Sequence, residues 1–227
     1  MLDLKKVENG IFKQRSGLKE HMKGFVIPHY EQNDKAHGVE HMRYVARRAL
    51  QFTFQYNFEH SEEVGFEVLD PSIAYAAALY HDIAHHIDRK NHEWVSAEMF
   101  WNNPDMAVIF DEDERILIKE AIEDHRSSLK DSPRSIYGRI LSSADRTTDL
   151  ATCVRRTSFY MDKHYAYLGN EERIRQSFSY LKEKYGEAGK AKTYFDDQEF
   201  YEMREALRKL LENYYVFKNY YIAVCRR

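Results

Sequence analysis

Hydrophobic side chains recur along most of the chain at the three- and four-residue spacing that places them on one face of an α-helix. The clearest stripe predicts a helix over about residues 38–58, with His41, Val45, Ala49 and Phe52 on one side. Similar stripes predict further helices. They cover about residues 71–85, 91–102, 135–149, 170–185 and 200–214, and another begins with a capping box of Asp111 and Glu114 and reaches His125.

The segment predicted over residues 71–85 is the most hydrophobic of these helices. Asp70 is a good N-cap and Pro71 suits the first helical position, and so little polar surface follows that this helix should be central and buried. The apolar run nevertheless meets an adjacent His81 and Asp82. A carboxylate in an apolar setting costs several kcal/mol unless a cation or hydrogen bonds compensate it. The sequence therefore raises the question of what compensates Asp82.

The composition also favours helices. The chain of 227 residues contains only 9 Gly and 4 Pro, fewer than sheets joined by tight turns normally need. We expect an all-α fold with two parts: residues 1–150, which carry the polar residues of interest, and a helical extension, residues 151–227, packed on them. The extension is rich in Tyr and Phe, and its segment 213–221 suits core packing or a homodimer contact better than stacking on a nucleobase.

Charge and cysteine content narrow the class of protein. The net charge of −3 gives no basic footprint for nucleic acid. Cys153 and Cys225 lie far apart without a metal-binding spacing, which suits free thiols in a reducing compartment. No apolar run approaches the roughly 20 residues of a membrane span, and the first residues lack the apolar core of a signal peptide. A cytoplasmic protein without a membrane partner is the expectation.

Several predicted helices carry an imidazole or carboxylate on or beside the apolar face. A single histidine that points inward is usually a core residue with its hydrogen bonds satisfied. So many inward polar residues together indicate that they bind one common group. Imidazole and carboxylate suit a divalent transition metal (Mn, Fe, Co, Ni or Zn), and its charge would compensate Asp82. The residues concerned are His41, His81, Asp82, His92, His125 and Asp145.

Three segments resemble the signature blocks of the HD-domain metal-dependent phosphohydrolases. They read H-M-R-Y-V-A from residue 41, L-Y-H-D-I-A from residue 79 and S-A-D-R from residue 143, and the resemblance covers roughly residues 25–150. It implies an HD-domain helical bundle in which one metal is held by His41, His81, Asp82 and Asp145. Ala84 stands where glycine is common in the family.

Two more segments, N-H-E-W-V-S-A-E from residue 91 and E-A-I-E-D-H-R-S from residue 120, resemble HD subgroups with a second metal. In those subgroups Asp82 would bridge two ions, with His92 and His125 holding the second. In single-metal members the same histidines face the substrate phosphate. The sequence therefore leaves open whether the protein binds one ion or two. His37 suits N-capping or support of a ligand better than ligation. Surface placement is expected for His85 and His86, and the alternative is that one of them orients a ligand by a hydrogen bond.

The resemblance implies a phosphohydrolase that cleaves a phosphate ester or anhydride of a small molecule, with a nucleotide as one candidate. Hydroxide generated at the metal would attack phosphorus, while Asp82 or an unligated His125 moves the proton. Arg89, Arg126 and Arg146 are candidate phosphate clamps, with surface ion pairing as the alternative. Two other functions share this ligand set: an HD-type di-iron oxygenase, and a non-catalytic, metal-stabilised nucleotide sensor.

Overall fold

The structure is a computed structural model that describes residues 3–127, 129, 131–186 and 193–225. Within these ranges it contains helices, turns and loops but no strand, which confirms the all-α prediction. None of the described helices is both long enough and apolar enough to cross a membrane. The helices are α1 Leu4–Gln14, α2 Leu18–His21, a π-helical turn Met22–Val26, α3 Ile27–Tyr30, α4 Val39–Glu59, α5 Pro71–Tyr80, α6 His92–Trp101, α7 Pro104–Ile109, α8 Glu112–Glu123, α9 Ile136–Ala144, α10 Leu150–His164, α11 Asn170–Tyr185, α12 Gln198–Leu210 and α13 Tyr214–Cys225.

The chain divides into two compact units, Met1–Asp145 and Arg146–Arg227. Helix α5 lies at the centre of the first unit, where it packs against α4, α8 and α9. Every residue of α5 from Ser72 to Tyr80 is buried, as its continuous apolar sequence predicts. Asp70 caps the helix by accepting a hydrogen bond from the backbone N–H of Ser72. The first unit is therefore organised around a helix with almost no solvent-facing side.

Helix α5 ends at Tyr80, earlier than the predicted end near residue 85, and the chain continues through residues 81–87 as successive turns. Two side-chain oxygens accept hydrogen bonds from backbone N–H groups that would bond within the helix if it continued. The N–H of Asp82 donates to the Tyr30 hydroxyl at 3.1 Å, and the N–H of Ala84 donates to Ser96 Oγ at 3.2 Å. Tertiary contacts thus end the helix at the His81-Asp82 pair.

Two other predicted helices differ from the structure. The helix expected over residues 135–149 ends at Ala144, and a new helix begins at Leu150 after Asp149, whose side chain accepts from the N–H of Thr152. The helix expected over residues 200–214 is broken into α12 and α13. Asn213 accepts hydrogen bonds from the backbone N–H groups of Tyr215 and Val216, so it caps α13 and separates it from α12.

The second unit has a core of its own in which α10 packs with α11, α12 and α13. Its fully buried members are aliphatic and aromatic, among them Leu181, Phe200, Leu207 and Phe217. Such side chains each stabilise a fold by roughly 1.5–3 kcal/mol when they leave water. The expectation that residues 151–227 form an extension packed on residues 1–150 stays a prediction.

Candidate metal centre

The candidate ligands of the first unit lie at or near helix ends. His81 and Asp82 follow the last residue of α5, and Asp145 follows α9. His92 is the first residue of α6, and His125 lies just beyond the end of α8. His41 lies in the first turn of α4. All six residues were predicted from the sequence, on or beside the apolar faces of the helices. Helix ends let a side chain enter the core without breaking a helix in its middle.

One group is formed by His41, His81 and Asp82, with Asp145 beside it. Ligand atoms of the first three lie within 4.8 Å of one another. Asp82 Oδ2 is 3.5 Å from His41 Nε2 and 3.4 Å from His81 Nε2, and the two imidazole nitrogens are 3.2 Å apart. Asp145 Oδ1 joins through a 3.1 Å contact with His41 Nε2. The structure therefore brings together the four residues that the sequence grouped.

A second group is formed by Asp82, His92 and His125, whose ligand atoms also lie within 4.8 Å of one another. Asp82 Oδ1 is 3.1 Å from His92 Nε2 and 3.7 Å from His125 Nε2, and these two nitrogens are 3.3 Å apart. Each oxygen of Asp82 thus faces a different pair of histidines. A carboxylate in this arrangement is suited to bridge two cations.

Three of the four histidines are oriented in the same way. In each, Nδ1 lies within hydrogen-bond distance of a backbone carbonyl three residues earlier, at 2.8, 3.0 and 2.6 Å. A carbonyl oxygen only accepts, so Nδ1 carries a hydrogen and Nε2 becomes the second, ligating nitrogen. The pairs are His81 with Ala78, His92 with Arg89 and His125 with Ile122.

This arrangement fits a cation. If the imidazoles are neutral, their Nε2 lone pairs point at one another and at the ionised carboxylate of Asp82, which is a set of acceptors without a donor. Asp82 is 3 % exposed, so water cannot compensate all of these groups. Either additional protons or a metal cation must lie among them. The donor set of imidazole and carboxylate is one that divalent transition metals bind.

The pKa shifts express the same demand for positive charge. Burial, the largest single cause, lowers the pKa of His81, but the charge and hydrogen bond of Asp82 together with smaller contributions from Asp145 and the Ala78 carbonyl raise it overall. Burial also lowers the pKa of His92, yet the hydrogen bond and charge of Asp82 again raise it overall. For Asp82, burial raises the pKa, but the charge of His81 and hydrogen bonds from the surrounding imidazoles hold it well below its ordinary value. Asp82 is therefore an ionised, buried carboxylate.

Tyr30 supports the centre and was not identified from the sequence. It is fully buried, its hydroxyl accepts the N–H of Asp82, and the same oxygen is 3.3 Å from His81 Nδ1. Burial and then the charge of Asp82 raise the pKa of this phenol well above its ordinary value, so it stays protonated. A lone tyrosine before α4 gives no sequence signal for this role. Only the fold shows which tyrosine reaches the centre.

The three candidate phosphate clamps have separate surroundings. Arg126 Nη1 donates to Glu93 Oε1 and to the Lys90 carbonyl, at 2.8 Å each. Arg89 Nη1 lies 3.7 Å from Asp34 Oδ2. Arg146 is buried and begins the second unit. The role of these arginines in holding a phosphate stays a prediction.

His85 was expected at the surface, and that expectation is wrong. His85 is 7 % exposed, and its ring stacks on the ring of His37 with centroids 3.9 Å apart. The turns that follow α5 direct it inward, because His85 donates its N–H to the Asp82 carbonyl instead of continuing a helix. His86 is half-buried, and its Nδ1 lies 3.1 Å from Asn33 Oδ1.

Comparison with known proteins gives one finding about relationship. The family model described as HD domain matches residues 38–150, the range that contains all six candidate metal ligands. No curated protein and no solved structure matches the chain.

Proposed function

We propose that this chain, which belongs to the HD-domain family through residues 38–150, is a metal-dependent phosphohydrolase that cleaves a phosphate ester or anhydride of a small molecule, with a nucleotide as one candidate substrate. The family match supports hydrolase-type chemistry at a metal. The observation that carries the proposal is the buried carboxylate of Asp82, each of whose oxygens faces two imidazole nitrogens. Packing alone does not explain such a centre, because apolar side chains would fill the same space at a lower cost in free energy.

The proposed ligands of a first ion are His41, His81, Asp82 and Asp145. A divalent metal held there would lower the pKa of a bound water toward about 7 and would polarise a phosphoryl oxygen. The chain's own residues set the geometry: the backbone carbonyl of Ala78 fixes the tautomer of His81.

The same residues also provide groups for proton movement. Asp82 is ionised at neutral pH, so it can accept a proton when a water is deprotonated beside it. Burial lowers the pKa of His125, which keeps its imidazole neutral, with Nε2 as the acceptor nitrogen. His125 therefore serves either as a ligand or, with a single ion bound, as a proton acceptor.

Whether one or two ions bind can be tested at His92, which contacts Asp82 Oδ1, the oxygen that faces the second group. We expect His92→Ala to halve the metal content if both groups are occupied, because the second group then keeps one imidazole. Elemental analysis of freshly purified protein measures this directly. His60→Ala, at the C-terminal end of α4, is the matched control and should retain the wild-type content. An unchanged content in His92→Ala would mean a single ion.

The function itself is tested by a screen for release of product from phosphomonoesters, phosphodiesters and pyrophosphates in the presence of Mn²⁺, Fe²⁺, Co²⁺, Ni²⁺ or Zn²⁺. We expect hydrolysis of at least one class that disappears on chelation and returns when metal is added. The matched control is Asp82→Asn, which keeps the side-chain shape but removes the charge. Metal-loaded protein that hydrolyses no class, or activity that survives in Asp82→Asn, would contradict the proposal.

A second candidate is an HD-type di-iron oxygenase, which the second group of Asp82, His92 and His125 favours because it offers a place for a second iron. Anaerobic purification with iron analysis and electron paramagnetic resonance distinguishes the two functions. Two irons per chain with a mixed-valence signal and oxygen consumption would support the oxygenase. Hydrolysis by protein loaded with redox-inactive Zn²⁺ would support the phosphohydrolase.

A further inference from the structure

The backbone of Asp82 is held by hydrogen bonds on both sides of the residue. Its N–H donates to the Tyr30 hydroxyl at 3.1 Å, and its carbonyl accepts Asn33 Nδ2 at 2.9 Å and the N–H of His85 at 3.0 Å. Tyr30 and Asn33 belong to one short segment, the last residue of α3 and the loop that follows it. This segment therefore bonds both backbone polar groups of the residue that the two ligand groups share.

The side chain of Asn33 makes a second donor bond, which leads toward His41. Its Nδ2 also donates to the His37 carbonyl at 2.9 Å. His37 precedes α4, which begins at Val39, and His41 lies in the first turn of that helix. One amide group thus joins the start of the helix that carries His41 to the chain that carries Asp82.

Three partners fix the orientation of this amide. A carbonyl oxygen only accepts, so Nδ2 must face the carbonyls of His37 and Asp82, with one hydrogen for each. The opposite atom, Oδ1, lies 3.1 Å from His86 Nδ1, which donates to it. Both hydrogens of the Asn33 amide are therefore used to connect two segments of the first unit. A side chain without an NH₂ group cannot make this connection.

The separation that the amide controls is one that a metal site requires to be exact. His41 Nε2 is 3.5 Å from Asp82 Oδ2, and the two residues come from different elements. Imidazole and carboxylate ligands bind a metal such as zinc at about 2.0–2.2 Å, so small displacements of either one weaken the site. Ligand atoms have to be held within about 0.5 Å of their productive positions. A bond that fixes the backbone of both residues serves this purpose.

We propose that Asn33 is a positioning residue of the metal centre, whose amide sets the separation of His41 from Asp82. Asn33 does not bind the ion itself, because its nitrogen is a donor and its oxygen accepts from His86. The inference rests on the metal centre of the proposed function but not on hydrolysis of a phosphate. Hydrogen bonds that support metal ligands change metal affinity by about tenfold to a hundredfold, and an effect of that size is expected here.

Titration of the full chain with Co²⁺, in competition with a chelator of known affinity, tests the role of Asn33. Asn33→Ala removes both donor bonds, so it should bind Co²⁺ about tenfold to a hundredfold more weakly than the wild type. The visible absorption of the bound Co²⁺ should change as well, because it depends on the number and arrangement of the ligands. The matched control is Gln32→Ala. Gln32 is the neighbouring exposed amide and donates to the Pro28 carbonyl, so this variant should keep the wild-type affinity and spectrum.

Asn33→Asp separates the lost donors from the effect of charge. The variant keeps the size of the side chain, but in its ionised form it presents an oxygen to the carbonyls of His37 and Asp82. A negative charge near the centre would by itself strengthen the binding of a cation. We nevertheless expect weaker Co²⁺ binding, because the connection is lost. Binding tighter than in the wild type would show that charge and not position governs the affinity, and would contradict the proposal.

Thermal denaturation of the metal-free proteins separates positioning from general stabilisation. Asn33 is half-buried, so we expect Asn33→Ala to retain the fold, which circular dichroism checks. A lower midpoint in metal-free Asn33→Ala, with unchanged Co²⁺ affinity and spectrum, would mean a purely structural role and would overturn the proposal while leaving the metal centre in place. Absence of Co²⁺ binding by the wild type would instead refute the metal centre, and the role of Asn33 with it.

Discussion

The main buried cluster of each unit contains different side chains. The second unit encloses aliphatic and aromatic residues such as Leu181, Phe200 and Phe217, which stabilise a fold by leaving water. The first unit encloses an apolar helix as well, but at its end it buries the charged Asp82 among histidines. Packing explains the burial of this apolar cluster in the second unit, whereas the buried, ionised Asp82 of the first unit needs positive charge from protons or a cation to compensate it. Substitutions in the two units should therefore fail in different ways.

The largest effect is expected for Asp82→Ala. Both groups of imidazoles share this carboxylate, so the variant should lose bound metal and at least about a thousandfold of any metal-dependent activity, which corresponds to several kcal/mol of transition-state stabilisation. Elemental analysis and initial rates on the best substrate measure this. Asp113→Ala, an exposed carboxylate in α8, is the control. Wild-type metal content in Asp82→Ala would refute the centre.

Leu181→Ala should produce the opposite pattern in the second unit. Leu181 is fully buried in α11, so truncation leaves a cavity that lowers the free energy of unfolding by about 2–5 kcal/mol. Metal content per folded chain should not change. Thermal denaturation and elemental analysis test both statements, with the exposed Gln176→Ala of the same helix as the control. A loss of metal in folded Leu181→Ala would end the distinction between the two units.

Tyr30→Phe should sharpen the comparison inside the first unit. The change keeps the ring in place but removes the oxygen that accepts the N–H of Asp82. We expect metal affinity to fall by about tenfold to a hundredfold while the fold is retained, since supporting hydrogen bonds have effects of that size. Competition with a chelator of known affinity measures it. In the control Tyr75→Phe, the lost hydroxyl bonds Glu8, away from the centre, so affinity should not fall.

The smallest effect is expected for a polar contact that the first unit keeps at its surface. Lys119 Nζ lies 2.7 Å from Glu98 Oε1, and both side chains are accessible to water. Lys119→Ala should reduce the free energy of unfolding by less than about 1 kcal/mol, because solvent screens such pairs. Urea denaturation of Lys119→Ala, Glu98→Ala and the double variant measures the coupling. A coupling energy above about 2 kcal/mol would contradict the statement that solvent screens this ion pair.

The sequence predicted where helices begin better than where they end. Asp70 and Asp111 cap α5 and α8 as predicted, because an N-cap acts on backbone within three residues of itself. The end of α5 depends instead on Tyr30 and Ser96, which come from segments distant in sequence. No local pattern contains that information. This is why the predicted helix ran past His81.

The candidate site shows the same division. His41, His81 and His92 were predicted because each lies on an apolar stripe or in a recognisable segment. Tyr30 and the pairing of His37 with His85 were not predicted, because their partners come together only through the loop before α4 and the turns after α5. Their role in the fold depends on tertiary contacts that leave no periodic signal.

The hydroxyl of Tyr30 has a consequence for how the domain is defined in experiments. The family match begins at residue 38, so a truncated protein cut to residues 38–150 lacks Tyr30, Asp34 and His37. The backbone of Asp82 would then lose its acceptor in the most buried part of the first unit, although every proposed ligand of the main centre is still present. A truncation chosen from the family match alone would therefore keep every proposed ligand but remove a side chain that holds one of them in position.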